Sequence, residues 1–384
     1  MSAFAAKRIR HLFECCDGRR IPLNAEERST RRGEVPYWGA NSIVDFVDEA
    51  LFDEELVLLG EDGAPFQDRD QPKAFRINGP VWPNNHIHVL RPLADTHARF
   101  MAYAMNHIDY SPYIDGSTRD KLTQSAMSDI KLPCPPSHEQ TRIANFLDEQ
   151  TARIDALIAE KERLDALLGE YRGSLISAAV TGCLDVSAGT AVPKTEKRNE
   201  PVTDCQLKHL ASMKSGESIS SDEILQDGPY PVYGGNGLRG YTGNYTHAQT
   251  GPLIGRQGAL CGNVTFVSGA FWATEHAVVA TPREGVWPRW LFWLLEGLDL
   301  NQYSVAAAQP GLAVEALTRV RTVKPQFSTQ VRIANFLDER TAQIDNLRSH
   351  CREHIALLRE YRSSLISAAV TGQLDIDNFK KGVA

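Results

Sequence analysis

The reading of the fold turns on the stretch from Glu139 to Val186, EQTRIANFLDEQTARIDALIAEKERLDALLGEYRGSLISAAVTGCLDV. Shifted by 190 residues it returns as VRIANFLDERTAQIDNLRSHCREHIALLREYRSSLISAAVTGQLDI, from Val331 to Ile376. From Arg142 and Arg332 onward the copies align without a gap, and about two-thirds of the aligned positions are identical. A period this long is a whole module written twice, and does not match a solenoid of short repeats.

Steps of four and three from Ile143 meet Leu147, Ile154, Leu157, Leu164, Leu168, Tyr171 and Leu175, and the second copy gives Ile344, Leu347, Leu358, Tyr361 and Leu365. A largely apolar seam of period 3.5 is the pattern of one helix lying along another. Some 40 helical residues reach roughly 60 Å, more than one small domain covers. Both copies close on Val-Thr-Gly, which places Gly182 and Gly372 as left-handed helix terminators. The seam also fits a hairpin or a homodimeric coiled coil. Two matching helices in one chain favour an antiparallel pair within the monomer, because each trails its own domain and twofold symmetry then sets the domains apart.

The chain of 384 residues is long enough for two or three domains, and its 42% hydrophobic and 23% charged content is that of an ordinary soluble protein. No apolar run suits a signal peptide or a membrane span. Seven scattered cysteines without a C-x-x-C predict reduced thiols, a cytoplasmic location and no zinc. A net charge of −7 does not by itself point to nucleic acid.

Residues 1–136 read as a first α/β domain, with short β runs punctuated by glycine and a short amphipathic helix at ARFMAYAMNHI. A polar stretch runs from Asn24 to Glu34. The helical region of the first copy occupies 137–186, and the polar, proline-bearing segment 187–204 reads as a flexible linker. Residues 205–326 repeat the first domain loosely, the second helix fills 327–376, and 377–384 are a tail. In the repeat PYWGAN from Pro36 matches PVYGGN from Pro231, and LLGEDGA from Leu58 matches LIGRQGA from Leu253. WPNNHIHVLRP from Trp82 matches WATEHAVVATP from Trp272. The skeleton recurs while the polar residues differ, which suits two recognition tasks on one frame.

The signature EQ-x-x-IA-x-FLD-x-x-T-x-x-ID, then L-x-EYR-x-SLISAAVTG-x-LD, resembles the helical regions of the DNA specificity subunits of Type I restriction–modification enzymes. The GAN/GGN and G-x-x-GA motifs resemble those of its target recognition domains. The resemblance implies an α/β fold of two target recognition domains separated by two long antiparallel coiled-coil helices. It implies that each domain reads one half of a bipartite, asymmetric site on double-stranded DNA. The helices would space the halves and dock two modification (methyltransferase) subunits, which recruit restriction subunits. S-adenosylmethionine, ATP and magnesium would belong to those partners, with no cofactor and no membrane contact for this chain. Many members carry a further short segment ahead of the first domain, whereas here Met1 lies close to its start.

No adenine-methylase Pro-Pro motif, G-x-G-x-x-G after a strand or P-loop is present, so the chain is expected to be catalytically inert. His86-Ile-His88 lacks repeated metal partners, and His86 with its counterpart His276 reads as a hydrogen-bonded structural histidine. Major-groove recognition uses arginine, amides and carboxylates, which makes Glu61 and Asp62 in one turn, and Arg256 and Gln257 in the other, candidate base readers. A plain glycine turn explains the same residues. Asn41 and Asn236 recur and suit turns. Arg119, Lys121 and Arg239 are phosphate-contact candidates, although solvated surface charge is the commoner role. An unrecognised methyltransferase or nuclease fragment and a protein-binding coiled-coil scaffold are the rival readings.

Overall fold

The computed structural model describes residues 4–68, 71–115, 120–186, 190–191, 202–258, 260–304 and 311–381. The chain divides into two compact units, Met1–Glu162 with Arg352–Ala384, and Arg163–Cys351.

In the first unit, β1 (Ala6–Arg8), β2 (Phe13–Cys15), α1 (Ala25–Thr30), β3 (Arg32–Trp38), β4 (Ile43–Val47), β5 (Phe52–Gly60), β6 (Ala74–Pro83) and β7 (Ile87–Pro92) precede α2 (Ala98–His107). Then come β8 (Ile114–Asp115), β9 (Lys121–Leu122), α3 (Gln124–Asp129) and β10 (Lys131–Pro133). A six-stranded sheet in the order β2-β7-β5-β6-β3-β4 is the scaffold, antiparallel except where Tyr37 and Trp38 of β3 run parallel to Trp82 and Pro83 of β6. Four consecutive residues of β5, Leu56–Leu59, are fully buried, as a central strand covered on both faces requires. The amphipathic helix α2 buries Phe100, Met101, Ala104 and Met105 in the main core. Within the polar stretch from Asn24, an Asn24–Glu27 capping box starts α1.

The second unit repeats this plan. After α4 (Ser137–Val180), β11 (Leu184–Asp185) pairs with β12 (Thr190–Ala191). The strands β13 (Val202–Gln206), β14 (Ala211–Ser215), β15 (Tyr230–Gly234), β16 (Gly237–Thr242), β17 (His247–Ala248) and β18 (Gly251–Gly255) follow. β19 (Val264–Val267), β20 (Ala270–Ala273), β21 (Ala277–Pro282), α5 (Pro288–Gly297), α6 (Val314–Arg319) and β22 (Arg321–Pro325) complete the domain before α7 (Phe327–Val370) and, back in the first unit, α8 (Ile376–Lys381). Its sheets run β14-β21-β18-β19 and β16-β15-β20-β17, and β15 again runs parallel to the strand bearing the matching tryptophan, Val232 opposite Trp272. The range read as linker ends sooner than expected: Val202–Asp204 belong to β13, whose ladder with β22 satisfies their backbone. Residues 187–189 and 192–201 of that range lie outside the described residues. The tail is corrected too, since α8 seats Phe379 edge-on to Phe146 at 5.1 Å and Asp377 bonds Arg142 at 2.8 Å.

The repeated glycines have two structural causes. Gly182 and Gly372 hold φ of 73° and 74°, and Cys183 and Gln373 donate back to Ala178 and Ala368. That is the Schellman closure expected of a left-handed terminator. Gly60 and Gly255 end β5 and β18 against the neighbouring hairpin: a Cβ there would stand 2.9 Å from the Ala40 carbonyl oxygen and 2.1 Å from that of Gly235. The G-x-x-GA and GAN/GGN motifs therefore recur together because their backbones touch.

Each unit pairs half of α4 with half of α7, antiparallel. In the first unit Asp155 meets Arg362 and Glu162 meets Arg359; in the second Asp165 meets Arg348 and Arg172 meets Asp345. The buried stripe differs from the expected seam by one residue in alternate layers. Ile154, Ile344, Cys351 and Ile355 are buried and Leu168 and Leu358 half-buried, but Leu157, Leu164, Tyr171, Leu347 and Tyr361 are exposed. The inward slots belong to Thr151, Ile158, Asp165 and Arg172, and to Thr341, Arg348 and Arg362. Bidentate or charge-assisted pairs let charged residues take these slots, leaving the large apolar side chains on an adjacent face.

Candidate nucleic-acid interface

Each domain is seated on its helix pair by the same device. Gln140 on α4 accepts from the His97 amide and donates to the Asp95 and Pro135 carbonyls, while Gln330 on α7 serves Trp287, Gly285 and Pro325. Arg99 and Tyr103 on α2 bond Asp148; Arg289 and Trp293 on α5 bond Asp338. Both glutamines are essentially fully buried. A buried amide with partners on each side fixes domain against helix because leaving it unpaired is costly.

The two glycine turns sit at the ends of the equivalent central strands β5 and β18. In the first, Glu61 does not face solvent as a base reader would. Its carboxylate is 13% exposed and accepts from Arg20 at 2.6 Å, with Lys121 at 3.6 Å. Arg20 also donates to the Ile87 carbonyl and lies 3.5 Å from Asp17. Asp17 in turn accepts from His88 Nδ1 at 2.6 Å and from the Val89 amide, and His88 Nε2 contacts the Leu122 carbonyl. Burial pushes the Asp17 carboxyl up, but the hydrogen bonds and charges of His88, Val89 and Arg20 outweigh it and hold the group below its usual value. Asp17, Glu61 and His88 have metal-ligand chemistry within reach of one another, yet the Arg20 guanidinium fills the cationic place between the carboxylates. Sequence reasoning missed this network because directly bonded members such as Asp17 and Val89 lie 72 residues apart with no motif.

The structural histidine is thus His88, fully buried, and not His86, which is half-exposed and 3.4 Å from Asp62. His276 likewise is half-exposed, 3.4 Å from Glu275. In the second turn Arg256 also bends inward, donating to the Leu312 carbonyl and the Ser215 hydroxyl, each at 3.1 Å. Both first residues of the turns are framework. Of their successors, Gln257 is exposed, while Asp62 is 24% exposed and lies 3.4 Å from His86. Asn41 and Asn236 lie in equivalent connections, β3 to β4 and β15 to β16, the first closed by a Gly39 amide to Ser42 carbonyl bond. Arg239, exposed on β16, is in the neighbouring hairpin. Lys121 is 51% exposed, and Arg119 lies outside the described residues.

The apolar side chains misplaced by the seam form a second surface. In the first unit Leu157, Leu357, Leu358 and Tyr361 line a groove of about 370 Å³. In the second, Leu168, Tyr171, Leu347 and Phe336 line one of about 580 Å³. Under the 190-residue repeat Leu157 corresponds to Leu347, Leu358 to Leu168 and Tyr361 to Tyr171. The same groove is therefore built twice. Among the described residues all seven cysteines are free and no helix is long and apolar enough to cross a membrane.

The comparisons agree with this architecture. The chain is 43% identical over 137 residues to the Type I restriction enzyme EcoprrI specificity subunit of Escherichia coli, a match spanning 35% of this chain and 34% of that one. The chain thus covers about a third of that relative's length. Among solved structures, one from a study of complex assembly and conformational transition of the type I R-M system superposes with a TM-score of 0.67. That match covers 97% of this chain and 98% of the other at 14% identity, and shows the fold. The HsdS subunit from Thermoanaerobacter tengcongensis matches at a TM-score of 0.50 and 15% identity, with 97% of each chain covered. The profile of the Type I restriction modification DNA specificity domain matches twice, over residues 1–166 and 199–355, and the chain belongs to that family.

Proposed function

We propose that this chain is the non-catalytic DNA-reading subunit of a Type I restriction–modification complex. Residues 1–136 and 205–326 each read one half of a bipartite site on double-stranded DNA, and the paired helices set the spacing between the halves. The observation that carries the reading is the double occurrence of one frame with unlike turn residues, Asp62 in one and Gln257 in the other, on domains seated by matching glutamine clamps. Identical seats with different faces suit two sequences read in a fixed geometry.

Asp62, Lys121, Gln257 and Arg239 are the outward candidates for base or phosphate contact, and a carboxylate or amide at a turn can discriminate bases in the major groove. The twin grooves fit two copies of one partner, which supports docking of two modification subunits. Restriction subunits would join through them. S-adenosylmethionine, ATP and magnesium would be held by those subunits in a cytoplasmic complex. The test is purification of the chain with its modification subunit, followed by binding to a duplex carrying the methylated site. Salt-sensitive, sequence-selective binding by the complex is expected. Absence of any DNA binding by an intact complex would favour a scaffold.

A further inference from the structure

Resting on the DNA-reading role, we propose that the short 3-10 turn entering each domain is its grip on the DNA backbone, with Lys208 and Arg321 (helped by Arg283 and Arg319) in the second unit and Arg10 and Lys131 in the first meeting phosphate oxygens. In the second unit the turn Leu207–His209 is the meeting point of three segments. Gln206 lies opposite Arg321 in the β13–β22 ladder, and the Leu207 amide donates to the Val320 carbonyl at 3.0 Å. The Arg283 amide donates to Leu210 and its Nε to the Lys208 carbonyl, both at 2.8 Å. Backbone contacts thus gather four exposed cationic residues around one turn. Among the described residues none of the four is in an ion pair. The carboxylates of the same segments, Asp204, Glu284 and Glu315, are exposed as well.

The first unit builds the same turn at Ile9–His11. Arg8 lies opposite Lys131, and the Ile9 amide donates to the Ile130 carbonyl at 2.9 Å. Arg10 and Lys131 are exposed; Asp129, itself 52% exposed, takes Arg10 at 3.0 Å. Position 129 corresponds to Arg319, so the second grip carries more positive charge.

Recurrence is the argument. Side chains that read different bases must differ between the domains, as the glycine turns do. A phosphate offers the same chemistry whatever the sequence, so contacts to it can be alike in both. Arg10 and Lys208, His11 and His209, and Lys131 and Arg321 are alike, in a chain whose net charge is −7. Acidic protein docked twice could meet both turns as well, but the cations would then serve assembly, which co-elution with the modification subunits reads separately from the salt slope.

The experiment uses the full chain assembled with its modification subunits and a duplex carrying the methylated site, with binding measured from about 50 to 200 mM salt. For Lys208→Gln/Arg321→Gln the slope of log affinity against log salt should shrink by about two, while the methylated sequence stays the same. Lys208→Arg/Arg321→Lys should keep the wild-type slope. An unchanged slope in the first variant, with thermal melting intact, overturns the assignment. A changed methylated sequence, or loss of co-elution with the modification subunits, overturns it too. If the wild-type complex binds no DNA, the DNA-reading role itself fails.

Discussion

Asp17 and Glu61 place two carboxylates around Arg20 and His88 beneath the first glycine turn. Because the Asp17 carboxyl is held below its usual value, its contribution to stability is complete above the ordinary carboxylate pKa and disappears as pH falls through the lowered one. Asp17→Asn should cost about 3 kcal/mol in urea denaturation at neutral pH, since it removes the carboxylate that joins the buried His88 and the Val89 amide to Arg20 and leaves Glu61 as the remaining carboxylate on that guanidinium. A loss well under 1 kcal/mol would show the network to be incidental. His107 behaves differently. Burial pushes its imidazole down to about 4, so the folded state resists a proton that the unfolded chain takes up near 6.5. Stability should fall as pH drops from about 6.5 toward 4, and His107→Gln should flatten that part of the melting-temperature profile. At this scale the sequence was only partly legible. Gly182 and Gly372 declared themselves, because a left-handed terminator has a local signature. Glu61 and Arg256 did not, because what turns them inward is Arg20 in one domain and Ser215 in the other, each 41 residues away.

The long helices were legible as helices, and their register against each other was not. Two possible rows share the layers of Ile154 and Leu168 and differ by one residue in the layers between, with Leu157, Leu164 and Tyr171 in one and Ile158, Asp165 and Arg172 in the other. Hydrophobicity alone selected the row of Leu157, Leu164 and Tyr171, while the structure buries the row closed by Asp165–Arg348 and Arg172–Asp345. Ion pairing across the helix pair accompanies the row that hydrophobicity does not select. Substitutions should separate the two faces. Ile344→Ala removes a buried side chain and should cost about 2–4 kcal/mol in thermal or chemical denaturation. Leu347→Ser, on a residue 54% exposed, should change stability by less than about 0.5 kcal/mol. It should nevertheless weaken retention of the modification subunit in pull-down, as should its repeat counterpart Leu157→Ser. Wild-type retention in both variants would remove the grooves from the assembly surface.

For the molecule as a whole, the repeat announced two like domains before any coordinate, and the glutamine clamps explain why helices alike in sequence can carry domains that are not. If the paired helices set the spacing, four residues inserted between Ala159 and Asp165, with four at the matching place in α7, lengthen the pair by about 6 Å. The spacer in the methylated site should then grow by one or two base pairs, given a rise of about 3.4 Å each. The most direct measurement of the central claim is a map of methylated adenines in cells carrying the modification subunit and a chain whose residues 1–136 come from a related domain. The account predicts a bipartite site in which one half changes while the other half and the spacer persist. A single uninterrupted tract, or a simultaneous change in both halves, would contradict it.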